Sequence, residues 1–258
     1  MSLMKSEWRK LVYVRAHWGL LIAAILLSGL STAVTPMILD SMGPSSGLML
    51  SMQESVDSVY ANAIGGYIFA IILGIMLMSG EFRHGTAVAT FLTAPKRGTV
   101  LANKLAIAAV GGVLLMAIST GAGIAGGLIG MSFYPDAASP SSNIFLNTMA
   151  AAVVSGAVLG IVGVAIGTLV RNQMLAIVGA LVYLFVIDPI LLLVWPDAGK
   201  FLPSGLITGM MALDIQSPEL GFDTTNYLPA VWATVVLIGY GMVFAIVAVA
   251  TSLRRDVD

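Results

Sequence analysis

Residues 105–131 read LAIAAVGGVLLMAISTGAGIAGGLIGM, 27 positions without a single charged side chain. At 1.5 Å per residue a helix of that length reaches about 40 Å, more than the roughly 30 Å of hydrocarbon in a bilayer. An apolar run this long reads as a membrane-spanning helix. Working outward, five similar runs lie at residues 18–39, 61–79, 146–170, 174–195 and 230–253. The expected fold class is an all-α integral membrane protein of six transmembrane helices, forming one transmembrane domain over residues 1–258.

Composition agrees. The chain is 58% hydrophobic and 10% charged, whereas a soluble domain carries about a quarter charged residues. A net charge of -1 argues against nucleic acid as a partner. With no cysteine, neither a disulfide framework nor a thiolate metal site can form.

Lysine and arginine set the expected orientation. Lys5, Arg9, Lys10 and Arg15 precede the first span, Arg83, Lys96, Arg97 and Lys104 lie between the second and third, Arg171 follows the fourth, and Arg254 and Arg255 follow the sixth. The opposite side has Lys200 and the acids Asp40, Glu54, Asp57, Asp136, Asp197, Asp214, Glu219 and Asp223. Basic loops stay in the cytoplasm, which predicts a multi-pass plasma-membrane protein with both termini cytoplasmic. A cleaved signal peptide would have an apolar core of about 7–15 residues. The run at 18–39 is longer and ends in PMILD, so it is read as a retained span. Before it, residues 1–17 place Leu3, Met4, Trp8, Leu11 and Val12 at helical spacing, with Lys5 and Arg9 elsewhere on the wheel. That pattern predicts an amphipathic helix on the inner membrane surface; the other reading is an extension of the first span.

Several catalytic patterns lose their chemistry in context. Gly43-Pro44-Ser45-Ser46-Gly47 resembles a nucleophile elbow, but a serine nucleophile needs a base within hydrogen-bond reach. His17 and His84, the only histidines, lie toward the other side. The glycines of Gly121-Ala122-Gly123-Ile124-Ala125-Gly126 have dinucleotide-fingerprint spacing, yet they sit inside a span without a preceding strand. No G-x-x-x-x-G-K-[ST] loop occurs. Two histidines without cysteine make no metal cluster. Glycine pairs four residues apart, Gly123/Gly127, Gly126/Gly130, Gly156/Gly160 and Gly163/Gly167, point to close helix packing within one subunit or across a dimer face.

Asp188 is the one acid expected inside a span, next to Pro189. An intramembrane carboxylate is a functional candidate, as an ion relay or a substrate contact. It could also satisfy backbone groups freed by the proline kink or face water near the outer surface. The long outer loop, residues 196–229, contains LPSGLITGMMALD, expected as a short helix with Ser204 as N-cap.

The remaining polar segment is the loop of residues 80–104, which begins GEFRHGTAVATFLTAPKRGTV. Residues 81–93 suit a short helix that ends before Pro95. Phe82, Phe91 and Leu92 give it apolar groups that a solvated loop does not need, which suggests a docking element.

Gly80, Glu81, Phe82, Arg83, His84, Gly85 and Thr86, followed by Pro95 and Lys104, in a six-span chain resemble the ABC type-2 transporter permeases. Asp188-Pro189 followed by Phe201-Leu202-Pro203-Ser204-Gly205 resembles a second feature of that family. The resemblance implies that a coupling helix after the second span fits a cleft on a separate ATP-binding subunit. Glu81, Phe82, Arg83, His84, Gly85, Thr86, Phe91 and Leu92 would make that contact. It also implies a second permease, either a copy or a paralogue, and a substrate path walled by the second and fifth spans. This chain would hold no cofactor and catalyse no reaction; ATP and Mg would bind to the partner subunit. The setting would be the bacterial inner membrane, among its lipids, and the cargo an exported amphipathic or hydrophobic molecule. Two other readings stay open on the residues: an ion-coupled secondary transporter with Asp188 as relay, and an intramembrane enzyme.

Overall fold

The computed structural model describes residues 3–43, 49–83, 97–170, 172–211, 216–217, 222–223 and 227–254. Helix α1 (Leu3–Tyr13) breaks at Val14 and is followed by α2 (Arg15–Met42). Then come α3 (Gln53–Ala61), a 3-10 turn (Asn62–Gly66) and α4 (Tyr67–Arg83). Two long helices follow, α5 (Arg97–Met131) and α6 (Ile144–Val170). Next are α7 (Gln173–Val182), a π-turn (Tyr183–Ile187) and α8 (Asp188–Val194). Short α9 (Pro196–Gly199) and α10 (Pro203–Met210) precede α11 (Ala230–Arg254). Gln216–Ser217 and Phe222–Asp223 pair as a small antiparallel ladder.

Six stretches of the described residues are long and apolar enough to cross a membrane: Arg15–Met42, Gln53–Glu81, Gly98–Met131, Ile144–Val170, Gln173–Leu192 and Ala230–Thr251. They are the spans numbered one to six below. The second begins eight residues before the expected residue 61. Val56, Val59, Tyr60, Ala63 and Ile64 are buried there, a helical stripe that Glu54 and Asp57 hide from a hydropathy average.

Span four is the hub, packing on spans two, three and six; span one lies on span three, and span five leans mainly on span two. Glycine permits the closest crossings. A Cβ on Gly112 would meet the Gly156 carbonyl, and one on Gly163 would meet the Ile71 carbonyl. Without a hydrophobic force between helices in lipid, such backbone approach is a main source of association. All four glycine pairs singled out by spacing face neighbouring helices of this same chain.

The chain thus has two ends. Lys5, Arg9, Lys10, Arg15 and Lys104 gather at a basic end, and Asp40, Glu54, Asp57, Asp136 and Asp197 at an acidic one.

Candidate functional site

At the basic end, the sequence of α1 places Glu7 and Lys10 one turn apart, on the face that meets the bundle. Leu11 follows on that side and packs over Gly111 of α5, where a Cβ would stand 3.1 Å from its methyl group. The helix is held at its C-terminal elbow too: Trp18 Nε1 donates to the Val12 carbonyl at 2.7 Å, and His17 Nδ1 to the Leu11 carbonyl at 2.9 Å. Met4, Trp8 and Val12 form a half-exposed apolar stripe beside that face, and Trp8 and Val12 border a small hollow with Leu73 and Leu114 of the bundle. Lys5 and Arg9 lie on the exposed side away from the bundle.

The inward charges meet two others from distant parts of the chain. Glu81 ends span two and Lys104 lies near the start of span three, at either side of the connecting loop. Lys104 Nζ lies 2.9 Å from Glu7 and 2.8 Å from Glu81. Lys10 Nζ lies 2.7 Å from Glu7 and 2.6 Å from Glu81. Lys104 also donates to the Leu77 carbonyl at 3.3 Å. Two acids and two lysines therefore alternate in a closed ring of zero net charge. Lys104 is only 1% exposed and both carboxylates are buried, whereas Lys10 forms the water-facing edge of the ring, its side chain 39% exposed. Burial alone would raise the Glu7 carboxyl, but Lys104 and Lys10 outweigh it and leave its pKa below the ordinary value. Burial would lower Lys10, yet Glu7 and Glu81 hold its pKa above the ordinary value. One Glu81 oxygen, Oε2, is buried without a hydrogen-bond partner among the described residues.

This ring places Glu81 beneath the surface, where Lys10 and Lys104 already engage it. Phe82 and Arg83 lie on the last turn of α4. His84, Gly85, Thr86, Phe91 and Leu92 lie outside the described residues, as does most of the expected 81–93 helix. The sequence reading missed Glu7 and Lys10. Glu7 is the only acid before Asp40 and stands three positions from a lysine, which was the available signal.

At the acidic end, Asp188 is fully buried. It accepts a hydrogen bond from Ser204 Oγ at 2.7 Å and a longer one from Ser204 N at 3.4 Å. Ser204 does not cap its helix as expected. The N-cap is Leu202, Pro203 follows at the first turn, and Ser204 gives its hydroxyl to Asp188. Asp188 instead supplies a carboxylate to the free amides at the start of α10, a favourable place for negative charge.

Between the two ends runs a groove. Span five leans toward span two and span six toward span four, leaving a cavity of about 640 Å³ between them. Ile71, Leu159, Leu184 and Leu237 are buried residues on its wall. Phe201 and Pro203 border it, and the Tyr240 hydroxyl donates to the Phe201 carbonyl at 3.0 Å. Its lining is nearly all apolar, with Tyr183 and Tyr240 as the main polar-tipped side chains. Among the described residues no three metal-ligating side chains gather.

Residues 3–187 match a family model described as ABC-2 family transporter protein. That match begins with α1 and includes all four residues of the charged ring. No curated protein matches the chain at a significant level.

Proposed function

Because the chain belongs to the ABC-2 transporter family, we propose that it is a permease subunit driven by a separate ATP-binding subunit and exporting an amphipathic or hydrophobic molecule. The basic end is then cytoplasmic, by the distribution of lysine and arginine, and both termini lie there. Two permeases, copies or paralogues, would form the working unit.

The charged ring carries this reading. A partner that moves the 84–96 loop must move its two ends, and Glu81 and Lys104 stand at those ends. Both are bound to Glu7 and Lys10, so displacement of the loop reaches α1 and spans two and three together. In a low-dielectric setting short ion pairs resist separation more than they would in water. Glu81 thus acts from behind the contact surface. Phe82, Arg83, His84, Gly85, Thr86, Phe91 and Leu92 would form the contact itself, with aromatic and arginine side chains as anchors. ATP and Mg belong to the partner. The apolar groove beside span five supports a cargo with a hydrocarbon part, since water gains little from so few polar groups. The hydrogen bonds from Ser204 favour a structural role for Asp188 over that of an ion relay.

The test is co-expression with a candidate ATP-binding subunit, sought first among the neighbouring genes, followed by pull-down through a tag on this chain. Wild type should retain the ATPase. Arg83→Ala combined with Phe91→Ala should lose it while still inserting. Full retention by that double variant would place the contact elsewhere, most plainly on α1 around Trp8.

A further inference from the structure

The outer end of span five contains a register defect next to its only acid. In the π-turn, the Asp188 amide donates to the Tyr183 carbonyl, five residues back. A π-turn holds one residue more than the α-turn it replaces. Each residue turns an α-helix by about 100°. Were the π-turn to relax to α geometry, Asp188 and α8 would rotate by about that angle relative to α7, and the carboxylate would leave Ser204. Pro189 has no amide to donate, so the ladder is already interrupted at the junction. Relaxation there breaks fewer bonds than it would inside an intact helix.

Ser204 sits on α10, whose Leu206 and Ile207 are buried in the bundle. Three other contacts tie this segment down. Tyr240 of α11 holds Phe201, Gly205 packs against the Gly199 carbonyl, and Asn147 of α6 donates to the Met211 carbonyl at 3.5 Å. Apart from Asp188, these contacts come from other elements than α7 and α8. Asp188 is therefore the hydrogen-bonded tie between the end of span five and α10 among the described residues.

We propose that Asp188, Ser204 and the Tyr183–Ile187 π-turn form a register latch: with the π-turn present α10 is held over the outer end of the bundle, and conversion to α geometry withdraws Asp188 and frees α10. The inference rests on the exporter reading for its place in a cycle, as the step that opens the path outward. The latch itself is a property of the isolated chain. Asp188 is a positioning residue in this account, acting on α10 and touching no cargo.

The chain has no native cysteine, so a single Ile207→Cys reports on α10. The purified chain in lipid nanodiscs is treated with a membrane-impermeant maleimide, and the labelling rate at position 207 is measured. Asp188→Ala should speed labelling at least about tenfold, the opening expected when a charge-assisted hydrogen bond worth about 1.4 kcal/mol is lost. Ser204→Ala, a milder change, should speed it in the same direction. Deletion of Val186 removes the extra residue while keeping Asp188 in its present orientation, and should leave labelling slow. A control cysteine at Met116, buried in span three and away from the groove, should not respond to any of these changes. Unchanged labelling in both Asp188→Ala and Ser204→Ala would overturn the latch, as would fast labelling after the Val186 deletion with the Met116 control still protected. None of these readouts needs an ATPase or a cargo, so failure of the exporter reading shows separately, as no complex with an ATP-binding subunit. Within such a complex ATP should speed labelling at 207, and the Val186 deletion should abolish that response.

Discussion

Replacing Lys104 with methionine tests the charged ring most sharply. The change keeps most of the side chain's length and removes two ion pairs, at 2.9 Å to Glu7 and 2.8 Å to Glu81. Two buried carboxylates then share Lys10 alone. Breaking a buried pair by removing one partner costs about 3–5 kcal/mol. Lys10 still bridges both acids, at 2.7 and 2.6 Å, so the low end applies. At about 1.4 kcal/mol per decade, 3 kcal/mol is roughly a hundredfold loss in the docking of α1. Hydrogen exchange read by mass spectrometry on the α1 peptide, with the chain in nanodiscs, reports that equilibrium. Protection over residues 3–13 should fall about a hundredfold, while the middle of span four keeps its own. Adding Glu7→Gln to Lys104→Met leaves one acid and one base, Glu81 and Lys10, and should restore much of the protection, because contacting residues are not additive. Protection of α1 within threefold of wild type in Lys104→Met would refute the idea that the ring holds it.

The ring also predicts a pH profile. The Glu7 carboxyl is depressed below its ordinary 4.5, so its contribution is present above that value and is lost as pH falls through the lower folded value. Lys10 is raised above its ordinary 10.5, so its contribution is present below that value and is lost as pH rises through the higher folded one. Above the range in which His17 at the elbow changes charge, protection of α1 should therefore be flat from about pH 8 to 10 once intrinsic exchange is corrected, and fall beyond; a step near pH 9 would contradict this. Among the glycines, Gly112→Leu should prevent stable folding because its Cβ meets the Gly156 carbonyl, whereas Gly179→Phe has open space and should fold while filling the groove. Monodispersity on size exclusion checks the first; loss of cargo-stimulated ATP hydrolysis by the complex checks the second. Asp188→Asn keeps an acceptor for the Ser204 hydroxyl and should impair transport less than deletion of residues 84–93. Complete loss of transport with normal assembly would instead point to a relay.

The apolar spans were legible because bilayer thickness sets helix length and charge marks the ends. Residues 105–131 could hardly be anything else. The start of span two was not legible, since Glu54 and Asp57 mask a stripe, Val56 to Ile64, that only the bundle buries. On α1 the apolar residues were visible, but not that Glu7 and Lys10 would turn inward beside Leu11 and meet charges of the bundle. The ring joins residues 71 and 97 positions apart, and no local pattern announces such a meeting. Asp188 stood out as an acid in an apolar run. Its partner could not be read, because Ser204 also made sense as a cap for its own helix.

The central claim is that ATP hydrolysed elsewhere drives this chain. Its most direct test is ATP hydrolysis in proteoliposomes, measured for the purified chain alone, for the ATP-binding subunit alone and for the two together, with and without an amphipathic candidate cargo. The account predicts no hydrolysis by the chain alone, a complex that hydrolyses ATP faster when cargo is added, and loss of that stimulation in Lys104→Met. Robust hydrolysis by the pure chain, or a stable complex whose rate responds to neither cargo nor the Lys104 change, would contradict it.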